Sequence, residues 1–151
     1  MFKEINNFTK EISIEAGKIL LQGFRSSKTI VSYKSRTNLI TDIDEKSEKF
    51  LFENISKKFS DHSIIAEEGS RKEAKGEFLW YVDPLDGTNN FAHGLPFFCI
   101  SIGVFSKNLN SVVSAVVYNP FLDELFSAVK DSGASLNPMP LRKESKSNNN
   151  Q

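Results

Sequence analysis

This 151-residue chain is poor in the residues that usually announce a cofactor or a crosslink: one Cys, one Trp, two His and two Met. A single cysteine, Cys99, cannot close an internal disulfide, and no trio of histidines spells a metal site. The opening MFKEINNFTKEISIEAG has no basic stretch leading into an apolar core, so a cytoplasmic address is expected. No apolar run approaches the roughly 18 residues that a bilayer span requires, and no membrane partner is expected. An excess of either charge is also missing, because 19 Lys+Arg balance 19 Asp+Glu. Such a chain has no basic surplus to hold a phosphate backbone, which argues against a general nucleic-acid binder. What remains is an ordinary folded composition, 39% hydrophobic and 25% charged. Its 13 Phe predict a core built on rings. The length suits one domain, which can bury roughly 70% of the unfolded surface.

Ile5, Phe8, Ile12, Ala16 and Ile19 recur at helical spacing and predict an amphipathic helix from Phe2 to Phe24, weakened at its end by Gly23 and the Ser26-Ser27 pair. Ile30 to Tyr33 is a short β-favouring run. A second helix is expected to start at Thr41, where Thr41-x-x-Asp44 resembles a capping box and Asp42, Asp44 and Glu45 suit the positive end of the dipole. Its buried face would be Ile43, Phe50, Leu51, Ile55 and Phe59, and Ser60-Asp61-His62 ends it. Strand signals follow. Ser63 to Ala66 is short, and Phe78 to Val82 is a continuous apolar run that predicts a strand buried on both faces. Phe97 to Phe105, Ser111 to Tyr118 and Glu124 to Val129 predict an antiparallel meander. Two helices and then strands give an α+β or layered α/β class. Residues 1–142 form the expected domain. Lys143 to Gln151 (KESKSNNNQ), with no apolar residue, is expected to be a disordered tail.

The chemistry concentrates in Asp83-Pro84-Leu85-Asp86-Gly87-Thr88. Pro84 fixes one backbone angle and removes a donor, so a turn is expected after the buried strand. That turn can aim both carboxylates and the Leu85 carbonyl at one point, and an oxygen-only set favours a hard cation, usually Mg²⁺. Gly87-Thr88 then opens a short helix through Asn89, Asn90 and Phe91, whose N-terminus suits a phosphate. A cation site beside an anion site is what metal-assisted phosphoryl transfer needs. Glu67-Glu68 is a second acidic pair at a strand end, costly to bury without a cation. Asp44 is a third acid. Each alone has a bland reading: an exposed Glu pair, a helix cap, Asp in a turn. His62 and His93 read as surface or hydrogen-bonding groups, and Cys99 as a small core residue. The conjunction outweighs those readings.

These residues carry a resemblance. The order Asn38-Leu39-Ile40-Thr41-Asp42-Ile43-Asp44, Ala66-Glu67-Glu68, and Trp80 through Pro96 (WYVDPLDGTNNFAHGLP) resembles the inositol monophosphatase family of lithium-sensitive, Mg²⁺-dependent phosphatases. The similarity continues to Gly133-Ala134-Ser135-Leu136-Asn137 and Pro140-Leu141-Arg142. It implies the N-terminal part of a layered αβαβα sandwich and in-line attack by water on a small phosphate monoester such as inositol 1-phosphate. By the same resemblance Glu67, Asp83 and the Leu85 carbonyl hold a first Mg²⁺, and Asp83 and Asp86 a second. Thr88 paired with Asp44 activates the water, Glu68 supports a weaker metal, and the N–H groups of Gly87 and Thr88 hold the phosphate. Family members are commonly homodimers. The family's second signature, W-D-x-A-A-G, has no counterpart in these residues. Its Asp completes the second metal site, so the resemblance covers an N-terminal portion expected to be weakly active or inactive alone. Fructose bisphosphatase-like and phosphoadenosine phosphatase-like relatives share D-P-x-D-G-T. Some bacterial relatives bind transcription machinery, so a non-catalytic binding remnant is a further reading.

Overall fold

A computed structural model describes residues 1–27 and 33–142. The predicted run at Ile30 to Tyr33 falls mostly outside them, with Tyr33 in a helix, and the expected tail at 143–151 lies wholly outside. Three helices, α1 (Phe2–Ser27), α2 (Tyr33–Lys58) and α3 (Thr88–Ala92), accompany eight strands. The strands are β1 (Ser63–Ala66), β2 (Arg71–Lys72), β3 (Phe78–Asp86), β4 (Cys99–Ser106), β5 (Ser111–Asn119), β6 (Glu124–Val129), β7 (Gly133–Leu136) and β8 (Met139–Leu141).

α1 forms on the predicted stripe: Ile5, Ile12 and Ala16 are buried, Phe8 and Ile19 are half-buried, and Leu20 and Phe24 complete the buried face. Gly23 does not break the helix. A Cβ there would lie 2.0 Å from the Ile43 Cδ1, so this glycine lets α1 and α2 come close. The second helix starts eight positions before Thr41. The Thr41 hydroxyl donates to the Thr37 carbonyl 3.1 Å away, one turn back in the same helix, and so does not cap it. Residues 34–38 contain neither Gly nor Pro, so this polar stretch is compatible with helix and is not a loop. Asp44 accordingly sits about three turns inside α2, not in its first turn.

All eight strands join one sheet in the order β2-β1-β3-β4-β5-β6-β7-β8. β1 runs parallel to β3, with Ile64 opposite Trp80, and every other neighbour is antiparallel. The predicted meander is β4-β5-β6. α1 packs on β4, β5 and β6, while α2 packs on β1, β3 and α3, so both long helices lie against the sheet. This is a layered α/β arrangement. The expectation that Phe78–Val82 is covered on both faces fails: Phe78, Trp80 and Val82 are buried, but Tyr81 between them is 50% exposed. The run is apolar throughout, yet only alternate side chains lie beneath the helices. Trp80 anchors the core among Phe8, Phe59 and His62, and its indole N–H donates to His62 Nδ1 at 3.0 Å. No helix among the described residues is long and apolar enough to cross a membrane.

Candidate active site

The end of β3 builds the first part of the site. Pro84 does not turn the chain away; β3 continues through it to Asp86. The register steps from Asp83↔Ser101 to Asp86↔Cys99, so β3 holds one residue more than β4 across this interval, which is a β-bulge. Proline suits a bulge because it has no N–H to leave unpaired. Within the bulge Leu85 is buried and its N–H donates to Asp83 Oδ1 at 3.2 Å. Gly87 follows at φ 87°, ψ 37°, a left-handed conformation that favours glycine, and its carbonyl accepts the first bond of α3 from the Phe91 N–H. The Thr88 hydroxyl donates to the Leu85 carbonyl at 3.4 Å. The pairing of Thr88 with Asp44 that the resemblance implies is not formed among the described residues.

The second part is the turn after β1. The Glu67 N–H donates to the Val82 carbonyl at 3.0 Å, tying this acid to the strand that carries Asp83. The third part is α2, whose residues Asp44, Ser47 and Glu48 fall on one helical face. Asp44, Ser47 and Glu48 are buried, Asp83 is half-buried, and Glu67, Glu68, Asp86 and Thr88 are exposed. The burial cost therefore falls on Asp44, Glu48 and Asp83, not on the Glu67-Glu68 pair as the sequence suggested.

The carboxyl groups meet in pairs. Asp83 is pushed up to about 7 by burial, then by its hydrogen bond to Glu67 and the charges of Glu67 and Asp86, with the Leu85 N–H opposing. Asp44 is pushed up to about 8 by burial, then by the charge and hydrogen bond of Glu68 and the charges of Asp83 and Glu48. Paired acids held this close share protons or attract a cation. Asp44 Oδ1 is buried without a hydrogen-bond partner. An orphaned carboxylate oxygen in an oxygen-only donor set fits a hard divalent cation. Among the described residues no three His, Cys, Asp or Glu side chains form a ready-made cage, so a cation would have to draw the pairs together.

Cys99 is half-buried beside the site and not in the core as expected. Its thiol donates to Asp86 Oδ2 at 3.8 Å. Burial and the neighbouring acids push it up to about 12, so it is no nucleophile at neutral pH. His62 is buried, with burial holding it below the usual imidazole range, and it serves Trp80; exposed His93 bonds the Asn89 carbonyl. Among the described residues neither is hydrogen-bonded to Asp44, Glu67, Glu68, Asp83 or Asp86. Sequence reasoning missed Ser47 and Glu48. Their spacing of three and four from Asp44 was the available signal, since it puts them on the same helical face.

A protein-family model, the inositol monophosphatase family, matches residues 1–151. The chain belongs to this family. It is 40% identical over 141 residues to inositol monophosphatase 3 of Solanum lycopersicum, spanning 91% of this chain and 52% of that protein. It is 42% identical over 134 residues to Nus factor SuhB of Pasteurella multocida, spanning 87% and 49%. The solved inositol monophosphatase from Anabaena (Nostoc) sp. PCC 7120 superposes with a TM-score of 0.78 at 33% identity, over 94% of this chain and 50% of that one. The chain thus spans about half the length of these family members. The layered α/β fold described above is shared with them.

Proposed function

We propose that this chain carries the metal- and phosphate-holding part of a Mg²⁺-dependent phosphomonoesterase acting on a small phosphate monoester, inositol 1-phosphate being the first candidate. The observation that carries this reading is the pairing of carboxyls from three separated segments, buried Asp44 with Glu68 and half-buried Asp83 with Glu67, beside the bulge that opens α3. Glu67, Asp83, Asp86 and the Leu85 carbonyl would hold the cation. When bound, Mg²⁺ supplies concentrated positive charge that offsets the charge of a phosphoryl group in transfer. Gly87 and Thr88 would hold the phosphate through N–H groups at the start of α3, and Thr88 with Asp44 would orient water and accept its proton. The single free Cys99 accords with a cytoplasmic setting.

Mn²⁺ titration followed by electron paramagnetic resonance, with Mn²⁺ standing in for Mg²⁺, tests the reading directly. Saturable binding is expected, with Asp83→Asn weakening it at least tenfold. Absence of saturable binding in the unmutated chain at millimolar Mn²⁺ would end the proposal. Phosphate release from a panel of monoesters then identifies the substrate. Little or no turnover is expected of these 151 residues alone, because the signature that completes the family's second metal site is not among them. Robust, lithium-inhibited turnover would contradict that expectation. The likeness to Nus factor SuhB supports a second reading, a binding role without turnover. A cellular phenotype that survives Asp86→Asn would favour it.

A further inference from the structure

Glu48 is a carboxylate buried deep in the protein, only 4% exposed, and no cation side chain neutralises it among the ion pairs of the described residues. Burying a charge is costly unless hydrogen bonds replace its water. Here they do: Oε2 accepts the Glu68 N–H at 2.7 Å and Oε1 accepts the Ser70 N–H at 2.9 Å. Both are backbone donors of the turn that follows β1. The same turn is tied to β3 on its other side by Glu67 N–H to the Val82 carbonyl. Glu67 therefore follows β3, while Glu68 follows α2. One position earlier on α2, buried Ser47 donates to the Pro84 carbonyl at 3.0 Å and so holds the β3 bulge. Neighbouring residues of one helix thus grip both acidic segments, a single turn from Asp44.

We propose that Glu48 is a positioning residue: its carboxylate, by holding the Glu68 and Ser70 N–H groups, keeps the Glu67-Glu68 pair beside Asp83 and Asp44, close enough for a divalent cation to draw these acids together. This rests on the phosphomonoesterase reading above. The chemistry explains the residue type. A carboxylate offers an acceptor to each N–H at once, whereas glutamine offers one acceptor and turns an NH₂ group toward the other donor. Aspartate is one methylene shorter and cannot span the same gap without moving the turn.

The test uses the full 151-residue chain and the variants Glu48→Gln and Glu48→Ala. The charge control is Glu53→Gln, which removes an exposed acid from the same helix. Amide hydrogen exchange without metal reports the turn, and Mn²⁺ titration reports the site. In Glu48→Ala both the Glu68 and Ser70 amides, and in Glu48→Gln at least one of the two, should exchange at least tenfold faster, with the Ile64 and Trp80 amides unchanged. Mn²⁺ affinity should fall about tenfold, while Glu53→Gln stays within twofold of the unmutated chain. The isosteric Gln variant keeps the test open if the Ala variant does not fold. Unchanged exchange at Glu68 and Ser70, or Mn²⁺ affinity within twofold in a folded Glu48 variant, would overturn the positioning role alone. No Mn²⁺ binding by the unmutated chain would instead defeat the underlying phosphatase reading and take this role with it.

Discussion

Replacing Gly87 with alanine is the sharpest probe of how the site is built. Gly87 sits at φ 87°, so any Cβ there pays the left-handed penalty, about 1–2 kcal/mol. A second cost is steric. The new Cβ would lie 2.7 Å from the Phe97 carbonyl oxygen and 3.3 Å from the Phe98 Cα, and both are backbone atoms that cannot swing aside. Overpacking of this kind costs about 1–3 kcal/mol. The Phe97 carbonyl also accepts the Asn90 side-chain amide at 2.8 Å, so displacing it loosens α3. The two costs together should reach about 2–5 kcal/mol, a large share of the roughly 5–15 kcal/mol that holds a domain folded. Gly94 supplies the control: at φ 71° with nothing within 4 Å of its virtual Cβ, Gly94→Ala carries only the conformational cost, about 1–2 kcal/mol. Urea unfolding followed by Trp80 fluorescence, in chelator, measures both. With an m-value of about 2 kcal/mol/M, Gly87→Ala should lower the midpoint by about 1–2.5 M, and Gly94→Ala by about 0.5–1 M. If the two variants shifted the midpoint equally, the close approach of Gly87 to the Phe97 carbonyl would not matter and the argument would fail.

Two further outcomes are expected. Gly23→Ala gains about 1 kcal/mol of helix propensity but forces its Cβ to 2.0 Å from Ile43 Cδ1, so packing should win with a net loss of up to about 2 kcal/mol. Adding Ile43→Val, which removes that methyl, should show a favourable coupling in a double-mutant cycle, and strict additivity would contradict the contact. Metal-free protein should lose stability as pH rises from 5 to 8. Asp44 and Asp83 are raised to about 8 and about 7, so the folded state holds protons that the unfolded chain releases near pH 4, and that advantage disappears as the folded groups ionise. The urea midpoint should fall over this range, and Asp44→Asn should flatten the fall. A midpoint that rises toward pH 8 in the metal-free protein would contradict the buried pairs.

The acidic segments were legible because each carries its own local chemistry. Asp83-Pro84-Leu85-Asp86-Gly87-Thr88 announces a strand end and a glycine-opened helix in six consecutive residues, and both features are present. The meander was equally legible from β-favouring runs broken by Asn- and Pro-containing turns. The start of α2 was not, because a threonine three residues before an aspartate looks the same whether its hydroxyl caps a helix or bonds back to the preceding turn. Pro84 was read as a turn because the ring excludes a ladder bond, and only pairing with β4 shows that the omission falls at a bulge.

Glu48 and Tyr81 mark the boundary between what the order of residues decided and what required three dimensions. Sequence alone determined the helical periodicity of α1, the strands β1, β3, β4, β5 and β6 but not β2, β7 or β8, the acid types and the family to which the chain is similar, because each rests on neighbours within a few positions. Tertiary structure decided that Glu48 clamps a turn twenty residues away, that Asp44 meets Glu68 while Asp83 meets Glu67, and that Tyr81 is left uncovered beside a buried Trp80. The physical reason is common to all three. Burial and electrostatic coupling depend on distances through space, and those are set only when α2, β1 and β3 have packed.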